Sequence, residues 1–290
     1  MKQMQALIEK VATLVEALPY IREFEGKTVV IKYGGAAMEN PVLRHSVAED
    51  ITLLKCVGMN PVVVHGGGPE INRRLKQLGV EAKFHNGLRV TDEETIRVVE
   101  MVLSGTINKE IVSLLNIEGG NAVGLSGKDA NLIHAKRMTA ADGADLGFVG
   151  EITGVHFQIL NVLCQAGMIP VIAPLATDEK GGTWNINADT AAGEVAAALQ
   201  AEKLLFLTDT PGLLRDPSDP ASLIQHVTYQ DIDALTRDGV ISGGMIPKVE
   251  ACLKALDYGV KKTHIIDGRV PHALLLEVFT VRGLGTLVSH

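Results

Sequence analysis

The sequence predicts an α/β protein with a mainly parallel, open β-sheet covered by helices on both faces. Short β-branched runs alternate with segments of helical spacing, and this alternation is typical of parallel sheets. Hydrophobic residues are 46% of the 290 residues but aromatic residues only 4%, so Val, Ile, Leu and Ala must form the core. Glycine clusters follow several predicted strands, where such sheets bind ligands.

The first predicted element is an amphipathic helix within residues 1–20, before the first strand. Charged residues interrupt the segment, so it is not a signal peptide. Pro19 is expected to end the helix. The helix either packs on its own subunit or presents an apolar face to another subunit. Its apolar positions are Ala6, Leu7, Val11, Leu14, Val15 and Leu18.

The later elements alternate as this fold class requires. A Thr91-Asp-Glu-Glu94 capping box is expected to open a helix toward Gly105. Strands are predicted at 28–33, 61–65, 122–125, 132–135, 169–173, 203–208 and 262–266, and helices at 41–57, from 69, and at 155–167, 189–199, 244–258 and 271–279. Residues 140–150 are a hairpin or a lobe boundary. A boundary near 175–182 divides the chain into lobes of residues 21–178 and 179–290.

Composition disfavours several classes of function. A net charge of −7 disfavours binding to nucleic acids or anionic membranes. The apolar stretch 159–176 contains prolines and polar residues, so it does not predict a membrane span. The histidines and the three cysteines show no metal-ligand spacing, so no metal site is expected, and a reduced cytosolic setting is the simplest interpretation. The cysteines are Cys56, Cys164 and Cys252.

Several predicted strand ends and turns carry residues suited to binding anions. Glycines allow backbone N–H groups to approach an anion, and Pro69 suits the first turn of a helix whose amino end favours negative charge. Lys32 and Lys248 add positive charge, as a phosphoryl group in transfer requires. The segments are IKYGG (31–35), VHGGGPE (64–70), NINADTAA (185–192), LTDTPGLL (207–214) and SGGMIPK (242–248).

Two common nucleotide loops are absent. No GxGxxG follows the first strand, which disfavours a dinucleotide-binding oxidoreductase. Gly127-Lys128 superficially matches a phosphate-binding P-loop. However, Ala122 stands where that loop needs glycine and Asp129 where it needs Ser or Thr.

The motifs IKYGG, VVVHGGGPEI, GLRVT, WNINAD, LLFLTDTPGLL and SGGMIPK occur together in this order. On these motifs the chain resembles the N-acetyl-L-glutamate kinases of the amino-acid kinase family over essentially its whole length. The resemblance implies an open three-layer αβα sandwich. It also implies ATP-dependent phosphorylation of the γ-carboxylate of N-acetyl-L-glutamate, the second step of arginine biosynthesis. ATP would carry Mg²⁺ mainly on its own phosphates.

The resemblance also implies roles for individual residues. Lys32 and Lys248 would stabilise the transition state, and Asp189 would hold both ammonium groups. Arg89 would clamp a substrate carboxylate, because a planar guanidinium binds it with two hydrogen bonds. The other implied residues are Gly67, Gly68, Asn185 and Asn187 for substrate and Gly34, Gly35, Thr208, Asp209, Gly212 and Leu213 for nucleotide.

The implied chemistry needs no catalytic histidine, because the attacking carboxylate is already ionised at neutral pH. His65 is therefore expected to pack and hydrogen-bond beside the glycine turn, and Trp184 to pack. For Asp189 a second role, as the cap of the following helix, stays open.

The N-terminal helix resembles that of the arginine-sensitive type in this family. The resemblance implies a hexamer, built as a trimer of dimers through these helices, and feedback inhibition by arginine. It leaves binding of a PII signalling protein open. The residues that would surround arginine are Tyr20, Lys203, His272, Glu277 and Gly285.

Other functions compatible with the sequence are a carbamate or aspartate kinase on the same fold and a regulatory subunit without activity. GLRVT and WNINAD favour the N-acetylglutamate branch. The retained Lys32, Asp189 and Lys248 argue against a subunit that has lost activity.

Overall fold

A computed structural model describes residues 2–280 and 283–290. Within the first helix, the side chains of Ala6, Leu7 and Leu14 lie outside the described residues. Helix α1 runs over Lys2–Phe24, so the prediction that Pro19 ends it is wrong. Proline removes one backbone donor and frees the carbonyl four residues earlier, but Pro19 is exposed and water can bind that carbonyl.

The remaining elements alternate largely as predicted. The strands are β1 Thr28–Tyr33, β2 Asn60–His65, β3 Lys83–His85, β4 Leu88–Val90, β5 Ala122–Ser126, β6 Ile133–Thr139, β7 Asp145–Val155, β8 Ile169–Ala173, β9 Leu175–Thr177, β10 Thr183–Asn185, β11 Lys203–Thr208, β12 His226–Thr228, β13 Lys262–Asp267 and β14 Thr286–Ser289. The further helices are α2 Ala36–Glu39, α3 Pro41–Cys56, α4 Gly68–Gln77, α5 Glu93–Glu100, α6 Asn108–Ile117, α7 Gln158–Gln165, α8 Ala188–Leu199, α9 Ile232–Arg237, α10 Ile246–Asp257 and α11 Ala273–Phe279. A π-helical segment, Met101–Ile107, joins α5 to α6.

The central sheet has the order β12–β14–β13–β11–β1–β2–β8–β5. Its strands pair in parallel except for β13 with β14, which confirms the mainly parallel open sheet. The first strand is therefore central, and its neighbours β2 and β11 come from distant parts of the chain. Strands β6, β7, β9 and β10 form a small closed barrel beside the main sheet.

Helices cover both faces of the sheet. Among the described residues, one apolar cluster joins the sheet to α3, α4, α5, α6 and α11. Another joins the opposite face to α7, α8, α9 and α10. Buried Val, Ile, Leu and Ala make up most of both clusters, as the composition predicts, and the three-layer αβα sandwich is confirmed. The division into lobes at residue 178 stays a prediction.

Two local predictions differ from the structure. Val155 ends strand β7 and the helix begins only at Gln158, because β7 extends through an antiparallel pairing with β6. The capping box is also wrong in its first residue. Asp92 caps α5 by accepting a hydrogen bond from the Thr95 N–H at 2.8 Å, while Thr91 bridges to Gly147.

None of the helices formed by residues 2–280 and 283–290 is long and apolar enough to cross a bilayer. Over the same residues, no group of three or more His, Cys, Asp or Glu side chains is placed to hold a metal ion.

Candidate functional site

Lys32, Asp189 and Lys248 meet at the carboxyl end of the central strand. Lys32 Nζ lies 3.0 Å from one carboxylate oxygen of Asp189, and Lys248 Nζ lies 2.9 Å from the other. Lys32 is the next-to-last residue of β1, while Asp189 and Lys248 lie in the first turns of α8 and α10. The fold thus brings together three residues that are far apart in the sequence, and leaves one net positive charge at this point.

The Asp189 carboxylate is 6% exposed and committed to the two lysines. Burial alone would raise the pKa of Asp189, but Lys32 and Lys248 outweigh burial and hold it below its usual value. The cap of α8 is Asn187, whose Oδ1 accepts hydrogen bonds from the N–H groups of Asp189 and Thr190. Asp189 is therefore not the cap, and its side chain is available to the lysines.

The triple-glycine turn follows β2, the strand that pairs with β1, and the Gly66 N–H donates to the Tyr33 carbonyl. Gly67 precedes α4, and a Cβ on it would come within 2.5 Å of Ile107 and 2.6 Å of Leu103. A Cβ on Gly68 would meet no atom within 4 Å, so that position is open toward the site. A side chain at Gly67 would thus displace the tips of Ile107 and Leu103, and Gly68 leaves space for a ligand.

His65 anchors the turn from beneath, as predicted. Its Nδ1 lies 3.0 Å from the Gly66 carbonyl, and its Nε2 lies 3.2 Å from the Asn108 amide. The ring is fully buried, and burial lowers the pKa of His65 to about 4. The neutral imidazole can donate to Gly66 and accept from Asn108, which suits both contacts.

Arg89 supplies a third cation to the same site. The residue is 8% exposed, and its Nη2 donates to the Gly68 carbonyl at 3.3 Å. Its Nη1 is buried and has no hydrogen-bond partner among the described residues. The guanidinium also lies 4.7 Å from the ring centre of Phe84, its cross-strand neighbour. A buried donor without a partner is costly, so Arg89 is suited to receive a carboxylate.

A cavity of about 800 Å³ connects these groups. Lys32, Asp189, the glycine turn and Arg89 line it, as do Gly34, Gly35, Asn185 and Asn187, and Lys248 joins the site through its contact with Asp189. Its size is within the range of small-molecule sites. Trp184 packs on the apolar cluster below the sheet's α8 face, as expected, and its Nε1 donates to Asp178 at 3.0 Å.

The predicted nucleotide residues of the second half lie beside this cavity rather than lining it. Asp209 accepts a hydrogen bond from the Ala36 N–H at 2.5 Å, at the turn after β1. A Cβ on Gly35, where φ is +66°, would lie 2.2 Å from the same oxygen. Thr208 donates to the Thr210 carbonyl, and the Leu213 N–H donates to Thr286. Gly212, with φ +149°, makes the turn before Leu213.

The residues implied for arginine lie around the end of the sheet near α1 and α11. Glu277 lies 2.5 Å from His264 and accepts from the N–H groups of Leu284 and Gly285. Lys203 lies 4.6 Å from the ring centre of Phe24, and burial lowers its pKa. Tyr20 packs on the neighbouring core. His272 instead contacts buried Asp50 at 2.7 Å.

Several site residues were not predicted from the sequence. Phe84 lies on the β3–β4 hairpin, whose turn residues Asn86 and Gly87 both have positive φ. The Asn-Gly pair is a recognised hairpin signal and could have been used to find it. Asn108, which begins α6 after the π-helical segment, carries no such signal.

The fold and this site together define an amino acid kinase. The chain belongs to the amino acid kinase family, whose model matches residues 27–267. Its curated relatives include acetylglutamate kinases. That of Heliobacterium modesticaldum is 57% identical over 97% of this chain and 98% of its own length. That of Desulforamulus reducens is 58% identical over 97% and 98%.

Solved structures agree on the fold. N-acetylglutamate synthase from Neisseria gonorrhoeae, complexed with coenzyme A and N-acetyl-glutamate, has a TM-score of 0.85 at 30% identity. The match covers 97% of this chain and 63% of the synthase. Carbamate kinase from Giardia lamblia bound to AMP-PNP has a TM-score of 0.66 at 19% identity, covering 91% and 98%, and supports the fold alone.

Proposed function

We propose that the protein transfers the terminal phosphoryl group of ATP to the γ-carboxylate of N-acetyl-L-glutamate, the second step of arginine biosynthesis. The observation that carries the proposal is the Lys32–Asp189–Lys248 triad, of which Lys32 and Asp189 line a cavity together with Arg89 and the glycine turn. Relatives named acetylglutamate kinase, at 57–58% identity over nearly the whole chain, support the choice of substrate.

The chemistry matches the charges present. The attacking carboxylate needs no base, so the protein has to position it and to neutralise charge that develops on the transferred phosphoryl group. In the proposal, one lysine ammonium acts near the transferred group and the other nearer the leaving phosphate. Asp189 keeps both ammonium groups in place before substrates bind, which limits reorganisation during the reaction.

Arg89 would hold the far carboxylate of the substrate through its unpartnered Nη1. Gly67 and Gly68 would leave the reacting carboxylate room beside backbone N–H groups, and Asn185 and Asn187 would contact the amino-acid end. The nucleotide would extend from Gly34 and Gly35 toward Thr208, Asp209, Gly212 and Leu213, which surround the carboxyl end of β11.

Mg²⁺ neutralises phosphate charge when it accompanies ATP. The donors that line the cavity include the Lys32 ammonium group and glycine backbone N–H groups, both of which fit phosphate oxygens. The Asp189 carboxylate is engaged by both lysines, so in the proposal the nucleotide phosphates themselves hold the metal.

The decisive test is formation of an acyl phosphate, trapped with hydroxylamine, from ATP and each of several acceptors. N-acetylglutamate should give product, while glutamate, aspartate and carbamate should give little, because Arg89 and Asn185 would bind the N-acyl amino-acid end. Product only from carbamate or aspartate would show that the protein is a carbamate or aspartate kinase instead. No product from any acceptor would favour a regulatory subunit.

We further propose that the enzyme is a cytoplasmic hexamer, a trimer of dimers, inhibited by arginine. Helix α1 supports the assembly, because its exposed apolar side chains are spaced alternately four and three residues apart and form one stripe. They are Met4, Ile8, Val11, Val15 and Leu18, each between 42% and 63% exposed. A second copy of α1 would cover this stripe. Lys203 and Glu277, near the end of α1, would face the bound arginine, with Tyr20, His272 and Gly285 around them. A PII partner stays a prediction.

Val11→Asp tests this assembly without deleting the helix. A charge in the stripe should lower the mass measured by light scattering and weaken arginine inhibition, while activity without arginine persists. Glu16→Asp, at another exposed position of α1, is the matched control. A Val11→Asp protein with unchanged mass would contradict the proposed helix pairing.

A further inference from the structure

Thr91, the last residue of the GLRVT motif, has no role in the functions assigned so far. It is completely buried. It does not cap α5, because Asp92 does so. Its backbone instead continues from β4, with the N–H donating to the Leu146 carbonyl and the carbonyl accepting from the Phe148 N–H. The backbone therefore fixes its side chain between the two residues proposed to bind the substrate's amino-acid end.

The hydroxyl of Thr91 connects those two residues. Its Oγ1 lies 2.8 Å from the backbone carbonyl of Arg89 and 3.1 Å from the Asn185 side-chain amide. A hydroxyl has one proton to donate, and a carbonyl can only accept, so the proton is donated to Arg89. Toward Asn185 the Thr91 oxygen must therefore accept. The group of Asn185 that faces Thr91 is thus its NH₂.

This assignment determines what Asn185 can offer to a ligand. With the NH₂ directed at Thr91, Oδ1 is the atom that Asn185 can present to the cavity it lines. Arg89 contributes a buried Nη1 that lacks a partner among the described residues. One residue thus offers an acceptor and the other a donor. A ligand with a carboxylate next to an acylated N–H satisfies both.

We infer that Thr91 is a positioning residue that sets substrate specificity by orienting the Asn185 amide relative to Arg89. The identity of the ligand in this inference rests on the proposed function. The orientation of the Asn185 amide does not rest on it. Without the Thr91 hydroxyl, the Asn185 amide loses the acceptor that holds its NH₂. The amide then rotates freely between two orientations, only one of which accepts the ligand N–H.

The kinetic test uses Thr91→Val, which keeps the shape and removes the hydroxyl. KM for N-acetylglutamate should rise about tenfold, while kcat and KM for ATP stay within about twofold of wild type. Thr91→Ser should restore KM. Thr52→Val is the matched control, because Thr52 is also buried and its hydroxyl has no partner among the described residues. In an Asn185→Ala background, Thr91→Val should add less than about twofold.

The inference would be overturned if Thr91→Val left KM for N-acetylglutamate unchanged. It would also be overturned if Thr91→Val raised this KM as much in the Asn185→Ala background as in wild type. A variant that lowers kcat and both affinities alike would mean structural damage and would also count against it. A second measurement does not depend on activity. In protein labelled with ¹⁵N-asparagine, the Asn185 NH₂ resonances, identified by their loss in Asn185→Ala, should exchange slowly with solvent.

The two measurements separate the inference from the proposed function. If wild type phosphorylates no N-acetylglutamate, the proposed function fails, and slow exchange of the Asn185 NH₂ still supports its orientation by Thr91. Rapid exchange of that NH₂ in wild type would refute the orientation even in an active enzyme.

Discussion

Replacing Lys32 by alanine removes one of the two ammonium groups that contact Asp189. Lys32 is 9% exposed, and its Nζ lies 3.0 Å from the Asp189 carboxylate. At that distance and an effective dielectric constant of about 20, one unit charge interacts with another by about 5 kcal/mol. We take a similar distance from Lys32 Nζ to the transferred phosphoryl oxygens. If about half a unit of charge develops there, the variant loses about 3 kcal/mol of transition-state stabilisation, or roughly a hundredfold in kcat.

The fold should survive this change, because Lys248 still pairs with Asp189 and leaves no isolated buried charge. The assay is initial-rate acyl phosphate formation at saturating substrates, beside circular dichroism and thermal unfolding. The matched control is Lys136→Ala, another strand lysine paired with a carboxylate, Glu151, but exposed to solvent. Turnover of Lys32→Ala within about twofold of wild type, with an unchanged spectrum, would refute the reasoning.

Three further outcomes follow from contacts in the structure. Gly35→Ala should raise KM for ATP about tenfold or more and lower Tm, because its Cβ would lie 2.2 Å from Asp209 Oδ1 at a positive φ; an unchanged KM for ATP would remove Asp209 and Gly35 from the nucleotide site. Burial lowers the pKa of His65 to about 4, from 6.5 in the unfolded chain. As pH drops, the unfolded state therefore binds the proton first, and the free energy of unfolding should fall by about 3 kcal/mol between pH 6.5 and pH 4. Burial raises the pKa of Asp50 to about 6, so protonation of Asp50 stabilises the fold over the same pH range and opposes the effect of His65. Denaturant unfolding of wild type and His65→Gln should therefore be compared at each pH. Equal slopes of unfolding free energy against pH in the two proteins would contradict the assignment. Deleting residues 1–19 should lower the oligomer mass and weaken arginine inhibition while acyl phosphate formation continues; an equal mass and an equal arginine response would contradict the role of α1.

The sequence predicted the sheet well because its strands depend on strong, local patterns. Strands β1 and β11 match their predicted bounds, since each is a β-branched or leucine-rich run followed by glycine or polar residues. Lys32, Asp189 and Lys248 come together because α8 and α10 begin at the edge of the sheet where β1 ends. Their spacing of about 3 Å depends on how α8 and α10 pack, which no local pattern encodes.

The errors arose where tertiary contacts overrule a local signal. Thr91 has the sequence of a helix cap, but a bridge to Gly147 keeps it extended and moves the cap to Asp92. Pro19 has the sequence of a helix end, but the helix continues to Phe24, which is buried on the core. The bridge to Gly147 and the burial of Phe24 both involve residues outside the local sequence motif.

The position of β1 between β2 and β11 has a consequence for synthesis of the protein. During translation, β1 and β2 can pair early, but the other side of β1 stays without a partner until residues 203–208 have left the ribosome. Val29, Val30 and Ile31 are completely buried in the complete sheet, so the unpaired edge of β1 is strongly apolar. A fragment that stops at residue 178 would keep that edge exposed and should aggregate. The sheet around β1 can therefore close only after β11 has been synthesised.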